Sequence, residues 1–191
     1  RLPVPVVLFT RHLDGCNYID ATNSESGRVA ADVLIRRGCR RLAVLSCSLV
    51  TQAREDRRAA FVDAVVKAGL PRPIDIVSRE FNERGGYEAM SAFVASGQHC
   101  DGVFAIYDYM AFGAMHALRR SGKRVPEDVA LVGHEHLDMA SYVEPPLTTI
   151  RMPLTEMAGD AAATLVRILV GDLAEPVQRT YQTQLVARES A

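Results

Sequence analysis

Short apolar runs recur along this chain at intervals of roughly 30 residues, and an amphipathic stretch fills each interval, the rhythm of a β-α-β protein. The runs lie at 41–47 (RLAVLSC), 74–80 (IDIVSRE), 102–107 (GVFAIY) and 129–134 (VALVGH), with another at 4–10 (VPVVLFT). Each is short, rich in Val, Ile or Leu, and nearly continuously apolar. That pattern suits parallel strands covered on both faces. Between them the spacing predicts helices over 24–37, 55–68, 86–95 and 110–120, with a last one over 153–170. Glycines follow at Gly38, Gly69, Gly97, Gly122 and Gly171, as expected where a helix stops. Strand, helix, strand in this order implies right-handed crossovers and a parallel sheet. Two more strands are expected at 147–150 (LTTI) and 179–188 (RTYQTQLVAR).

Bulk properties narrow the function. Hydrophobic residues make up 48% of the 191 residues and charged ones 24%, ordinary for a globular protein with a full core. The net charge of −1 gives no basic excess, so this chain by itself is not expected to hold DNA. The four cysteines, Cys16, Cys39, Cys47 and Cys100, form no C-x-x-C pair and read as reduced thiols, which points to the cytoplasm. No run is long enough to span a membrane and no signal peptide is visible. The chain begins with Arg1 and reads as a fragment of a longer protein.

In an open parallel sheet, ligands bind beyond the carboxyl ends of the strands. The residues following the runs are 48–57, then Phe81, Asn82 and Glu83, then Tyr107, Asp108 and Tyr109, then His134, Glu135, His136 and Asp138. Carboxylates, an arginine, amides and aromatics on one rim suit hydroxyl-rich or ring-bearing ligands. Each has a plainer reading. Asp108 is placed to cap the following helix. Arg57 sits in the charged run Arg54-Glu55-Asp56-Arg57-Arg58, the mark of a solvated helix face. Phe81 at a strand end reads equally as core. His134-Glu135-His136 matches no zinc motif, so no metal and no cofactor are expected. Catalytic signatures are missing: there is no G-x-S-x-G, no phosphate-cradling G-x-x-x-x-G-K-[ST], and no G-x-G-x-x-G after a strand. An enzyme reading would use Cys47 with His134 across a crevice, or Glu135.

Several stretches resemble the effector domains of the lactose-repressor (LacI/GalR) family of transcriptional regulators. DGVFAIYDYMAFGA at 101–114 is similar to the family's D-A-[IV]-x-x-x-N-D-x-M-A-x-G-A. GKRVPEDVALVGHE at 122–135 resembles G-x-x-V-P-x-D-V-[SA]-[VL]-[VI]-G-[FY]-D, and PLTTIRMP at 146–153 resembles P-x-L-T-T-[VI]-x-x-P. Residues 5–11 are similar to the family's I-P-V-V-x-x-[DR], Gly38-Cys39-Arg40-Arg41 to its G-H-R-R, and the closing LVARESA to its L-V-x-R-x-S. Together they cover nearly the whole chain in order.

The resemblance implies an α/β doubly wound, mostly parallel fold of the periplasmic-binding-protein type I kind, with the effector between two lobes. It implies a truncated N-terminal lobe (residues 1–23), a nearly complete C-terminal lobe (24–147), a helix returning to the first lobe (148–178) and a final strand of the second (179–191). Chain crossings are expected near 23, 148 and 178. The effector set it implies is Arg57, four residues before Phe61, with Phe81, Asp108, Tyr107, Glu135 and Thr10. Tyr107 stands where the family has Asn, Glu135 where it has Asp, and Thr10 at a position often Asp, so the pocket is expected to be bulkier with displaced polar groups. The implied function is binding of a sugar, nucleoside or similar metabolite by a non-enzymatic regulator. DNA would be reached only through a helix-turn-helix outside this chain, and the protein would act as a homodimer. Replacing Arg57 by Ala is expected to weaken effector binding tenfold or more without unfolding the domain. The run at 4–10 is expected to leave an uncovered strand edge and promote self-association. The other readings are a periplasmic solute-binding protein of the same fold and the α/β enzyme.

Overall fold

The computed structural model describes residues 4–49, 51–173 and 176–191. Residues 1–3 of the expected N-terminal remnant, Val50 of the 48–57 rim and residues 174–175 of the expected 148–178 segment lie outside them. The chain divides into a smaller unit, Arg1–Thr22 with Met152–Thr183, and a larger one, Asn23–Arg151 with Gln184–Ala191.

The larger unit is a six-stranded sheet. Its strands are β3 (Leu42–Cys47), β4 (Ile74–Ser78), β5 (Gly102–Ala105), β6 (Ala130–Glu135), β7 (Thr148–Arg151) and β9 (Gln184–Val186), in the order β4-β3-β5-β6-β7-β9. All neighbours are parallel except β7 with β9. Every residue of β3 and β5 is buried, as a continuous apolar run demands of a central strand. At the edge, β4 alternates buried and exposed positions towards its end. Helices α1 (Asn23–Arg36), α2 (Gln52–Lys67), α3 (Glu83–Ala95) and α4 (Asp108–Arg120) flank the sheet, α1 packing on α2 and α3 on α4. Thr51 Oγ1 accepts the Arg54 N–H at 3.2 Å to cap α2, and Asn82 Oδ1 accepts the Gly85 N–H at 2.8 Å to cap α3. Phe61 and Phe104 meet at 5.2 Å in the core, with Leu34, Leu45, Met90, Met110 and Leu131 fully buried around them.

Glycine sets how closely the helices approach. A Cβ on Gly113 of α4 would stand 1.9 Å from the Glu83 carbonyl oxygen of α3, and one on Gly86 would stand 2.2 Å from the Met110 carbonyl oxygen of α4. No side chain fits at either position, so α3 and α4 touch backbone to backbone.

The smaller unit is a parallel sheet of β1 (Leu8–Phe9), β2 (Tyr18–Ala21) and β8 (Gln178–Tyr181), ordered β1-β2-β8, with helix α5 (Leu154–Leu169). Ile19, Ala21, Met152 and Met157 form its core. Three expectations change here. The strand expected over 4–10 narrows to β1, since Pro5 has no N–H to give a ladder and Thr10 turns away at φ 55°. It does lie at the sheet's edge. Strand β2 was not expected, because its sequence YIDA buries a charged residue, Asp20. The expected strand over 179–188 is two strands in different units: Thr183 N donates to Thr22 Oγ1 at 3.1 Å, and β9 starts at the next residue. The crossings therefore follow Thr22, Arg151 and Thr183, with β7 in the larger unit and β8 in the smaller.

Candidate functional site

Strand order reverses beside β3. The chain leaves β3 through α2 to β4 on one side, and leaves β5 through α4 to β6 on the other. The loops after β3 and β5 diverge, which opens a crevice at their carboxyl ends. Arg57 lies there, in the second turn of α2. It is not on a solvated face: it is 3% exposed. Its Nε donates to Asn23 Oδ1 at 2.9 Å and its Nη1 to the Ile106 carbonyl at 3.0 Å. The guanidinium also sits 5.3 Å from the Tyr107 ring centroid. Burial pushes the Tyr107 phenol above its ordinary range, and a hydrogen bond with Thr51 opposes the shift. Phe81 meets the Tyr107 ring edge-on at 4.2 Å and is 40% exposed, a ring face open to solvent and not a core residue.

Asp108, wholly buried, does not cap α4 as its position suggested: the helix starts after Tyr107 with no side-chain cap, and the Asp108 carboxylate turns elsewhere. Its Oδ1 accepts the Thr149 hydroxyl at 2.7 Å and its Oδ2 the Leu137 N–H at 2.9 Å. Burial raises its carboxyl above the ordinary value, and these hydrogen bonds hold it down. Gly133 makes room for it, since a Cβ there would stand 2.2 Å from Asp108 Oδ1. The carboxylate so pins the chain at the end of β6, where Glu135 and His136 adopt positive φ of 118° and 65°. Such backbone is held only where its surroundings enforce it, and it concentrates at binding sites.

Glu135 is part buried, and its Oε2 has no hydrogen-bond partner. Burial pushes its carboxyl up to about 7; the Arg57 charge works against the shift and Asp108 adds to it. His134 donates or accepts between its Nε2 and Ser26 Oγ at 3.1 Å, its Nδ1 has no partner, and burial holds the imidazole neutral. Arg54 is 7% exposed, faces Glu55 and Ser46, and leaves its Nε without a partner.

The structure thus gathers Arg57, Tyr107, Phe81, Asp108 and Glu135 at one rim of the larger unit. Thr10 belongs to the smaller unit, where its hydroxyl donates to the Phe9 carbonyl at 2.7 Å. Sequence reasoning missed Asn23 and Ser26, and it named Arg54 and His134 on the rim without including them in the effector set. Their polar side chains at the starts of α1 and α2 and the end of β6 were visible, but not which of them are buried. The Cys47–His134 pair is not assembled: Cys47 faces the Leu49 carbonyl and His134 faces Ser26. Among the described residues no group of three or more His, Cys, Asp or Glu is arranged to hold a metal. No helix among them is long and apolar enough to cross a membrane. A hollow of about 650 Å³ lies elsewhere in the larger unit, lined by Arg37, Arg119, Lys123 and Arg188 among others. It contains none of the unpartnered buried atoms, and basic residues there complement the carboxyl ends of α1 and α4. We place the site at the strand rim on that chemistry and not on cavity size.

Comparison with known proteins gives a consistent picture. Residues 31–191 match the periplasmic binding protein-like domain family. The HTH-type transcriptional regulator CelR of Thermobifida fusca is 35% identical over 175 residues, 91% of this chain and 52% of that protein. The HTH-type transcriptional repressor PurR of Escherichia coli O1:K1 is 33% identical over 167 residues, 87% of this chain and 49% of that protein. The chain therefore spans about half the length of these relatives. A structure of the CelR–cellobiose complex superimposes with a TM-score of 0.90 at 33% identity, covering 97% of this chain and 58% of that one. A LacI family regulator from Enterococcus faecalis with bound ribose gives 0.89 at 26% identity, covering 97% and 68%.

Proposed function

Since the chain belongs to the periplasmic binding protein-like domain family, in the form carried by LacI-type transcriptional regulators, we propose that it binds a sugar effector and thereby controls a DNA-binding head elsewhere in the whole protein. The observation that carries this reading is the convergence of unpartnered buried polar atoms, Arg54 Nε, His134 Nδ1 and Glu135 Oε2, on the carboxyl rim of the larger sheet. Buried polar groups are nearly always paired, so a cluster of exceptions marks a place where a ligand completes the hydrogen bonding. A polyol supplies both donors and acceptors. Arg57 and Glu135 take its hydroxyls, and the exposed Phe81 ring covers an apolar sugar face. Asp108 acts from behind by fixing the backbone that carries Glu135. Charge of both signs at the rim, the Arg57 cation near the Glu135 and Asp108 carboxyls, suits an uncharged polyol.

Cellobiose and ribose, bound by the two structural relatives, are the first candidates. The protein does no chemistry on its ligand. In the cell it works in the cytoplasm as a homodimer, and effector binding shifts DNA affinity by a coupling of roughly 1–3 kcal/mol. The helix-turn-helix regulators among the relatives support this over a solute-binding protein of transport. Isothermal titration of the chain with cellobiose, ribose and a panel of nucleosides tests the reading. Saturable binding of a sugar, weakened at least tenfold by Arg57→Ala, is expected. Binding of nucleosides alone, or of sugars with Arg57→Ala equal to wild type, would overturn it.

A further inference from the structure

Glu135 combines three features that the binding reading alone does not explain. Its Oε2 is buried without a donor, its backbone is held at φ 118°, and it ends β6 beside the Arg57 cation. A carboxylate in that position lacks the hydrogen bonds that an ionised oxygen needs, whereas a protonated carboxyl tolerates the site far better. An arriving ligand hydroxyl reverses the preference, because O–H···O⁻ bonds are about twice as strong as neutral ones.

On the effector reading given above, we propose that Glu135 is protonated in part when the site is empty, binds the sugar as a carboxylate, and releases its proton to solvent on binding, so that effector affinity depends on pH around neutrality. The charged and titratable groups facing it fit this assignment. Arg57 of α2 favours the ionised form, and Asp108 at the start of α4 opposes it. Tyr107, before α4, feels Glu135 but has its phenol held above its ordinary value of 10.0, so it stays neutral across the relevant range. His134 is neutral throughout. Arg151 stands opposite Glu135 in the β6–β7 ladder. His136 is held below its ordinary value of 6.5 by burial and by Arg188, so it titrates in a lower window. The change between pH 6.5 and 8 belongs to Glu135, whose carboxyl stands at about 7. If only the ionised form binds, affinity at pH 6 is roughly tenfold weaker than at pH 8.

Two measurements on the 191-residue chain test this. The first is a carbon-13 NMR titration of the ligand-free glutamate carboxyls, with Glu135 assigned by its loss in Glu135→Gln. A midpoint near neutrality is expected, and one below 5 overturns the proposal. The second is calorimetric titration with cellobiose at pH 6, 7 and 8 in buffers of different protonation enthalpy. Tenfold tighter binding at pH 8 than at pH 6, with net proton release at pH 7, is expected. Glu135→Gln should flatten the dependence, and Glu135→Asp, which keeps a carboxyl, should retain a slope; melting curves confirm that both variants fold. Wild-type affinity independent of pH, or an undiminished slope in Glu135→Gln, overturns the proton linkage while leaving sugar binding intact. No cellobiose binding at any pH removes the cellobiose reading and the proposal with it, whatever the carboxyl titration gives.

Discussion

Replacing Arg57 by Ala perturbs both the site and the fold, and the two losses are separable. From the sequence, Arg57 is a ligand contact whose removal does not unfold the domain. The structure adds that Arg57 also ties the fold together. Its guanidinium donates to Asn23 Oδ1 at the start of α1 and to the Ile106 carbonyl at the end of β5, and lies over the Tyr107 ring. Hydrogen bonds from a charged donor contribute roughly 1.5–3 kcal/mol each. The cation–ring contact adds about 1 kcal/mol. Truncation also withdraws the Arg57 donor from Asn23 Oδ1 and from the Ile106 carbonyl. Part of the sum is recovered because the desolvated charge disappears, so the expected loss is about 3–4 kcal/mol. For a chain of this size that lowers the melting temperature by about 10 °C. Urea denaturation followed by circular dichroism measures the stability term, and calorimetry well below the variant's transition measures sugar affinity. Arg57→Lys keeps the charge but not the planar fork, so it should lose about half as much stability. A denaturation midpoint for Arg57→Ala within 0.5 kcal/mol of wild type (roughly the spread of a neutral surface change) would refute the assignment of Arg57 as a tie between α1 and β5.

Gly86→Ala and Gly113→Ala should each cost more than about 2 kcal/mol, because the added methyl meets a carbonyl oxygen of the facing helix; urea denaturation checks this. Gly159 of α5 has nothing within 4 Å of a built Cβ, so Gly159→Ala should stabilise by about 0.5–1 kcal/mol in the same assay. Glu135→Gln should change stability with a definite sign. The folded carboxyl, at about 7 against an ordinary 4.5, holds its proton more tightly than the unfolded one, so its contribution is full below pH 4.5 and lost as pH rises to 7. The melting temperature of the variant relative to wild type should therefore be higher at pH 8 than at pH 5. Phe81→Ala should leave stability within about 1 kcal/mol, because the ring is part exposed, yet weaken sugar binding about three- to tenfold, measured by calorimetry.

The alternation of strands and helices was legible because β3, β5 and β6 are buried on both faces and therefore spelled in continuous apolar residues. Where burial is achieved by polar pairing the signal fails. Strand β2 escaped notice since Asp20 is buried against His12 at 2.8 Å, a partner eight residues upstream that no local pattern marks. The run 179–188 looked uniform because an extended chain that changes sheets keeps the same residue types. Helices α2 and α3 begin three residues earlier than apolar periodicity suggests, since Thr51 and Asn82 set their starts by capping. At the site, the rim residues followed from strand order alone. That Arg54 and Arg57 turn inward did not, because a charged run carries no mark of which members are buried.

The β2–β8 ladder joins Tyr18 to Gln178, so the smaller unit's sheet closes only across most of the polypeptide. During synthesis the strands and helices from β3 to β7 emerge and can condense while Tyr18–Ala21 still waits, unpaired on one side, for a partner that comes only after β7 and α5. Long-range pairing of that kind is slow to find. Ribosome stalling or a frameshift after residue 151 would release a product whose major sheet lacks only its antiparallel edge strand but whose minor sheet has no third strand, an open template for a chaperone or for another nascent copy.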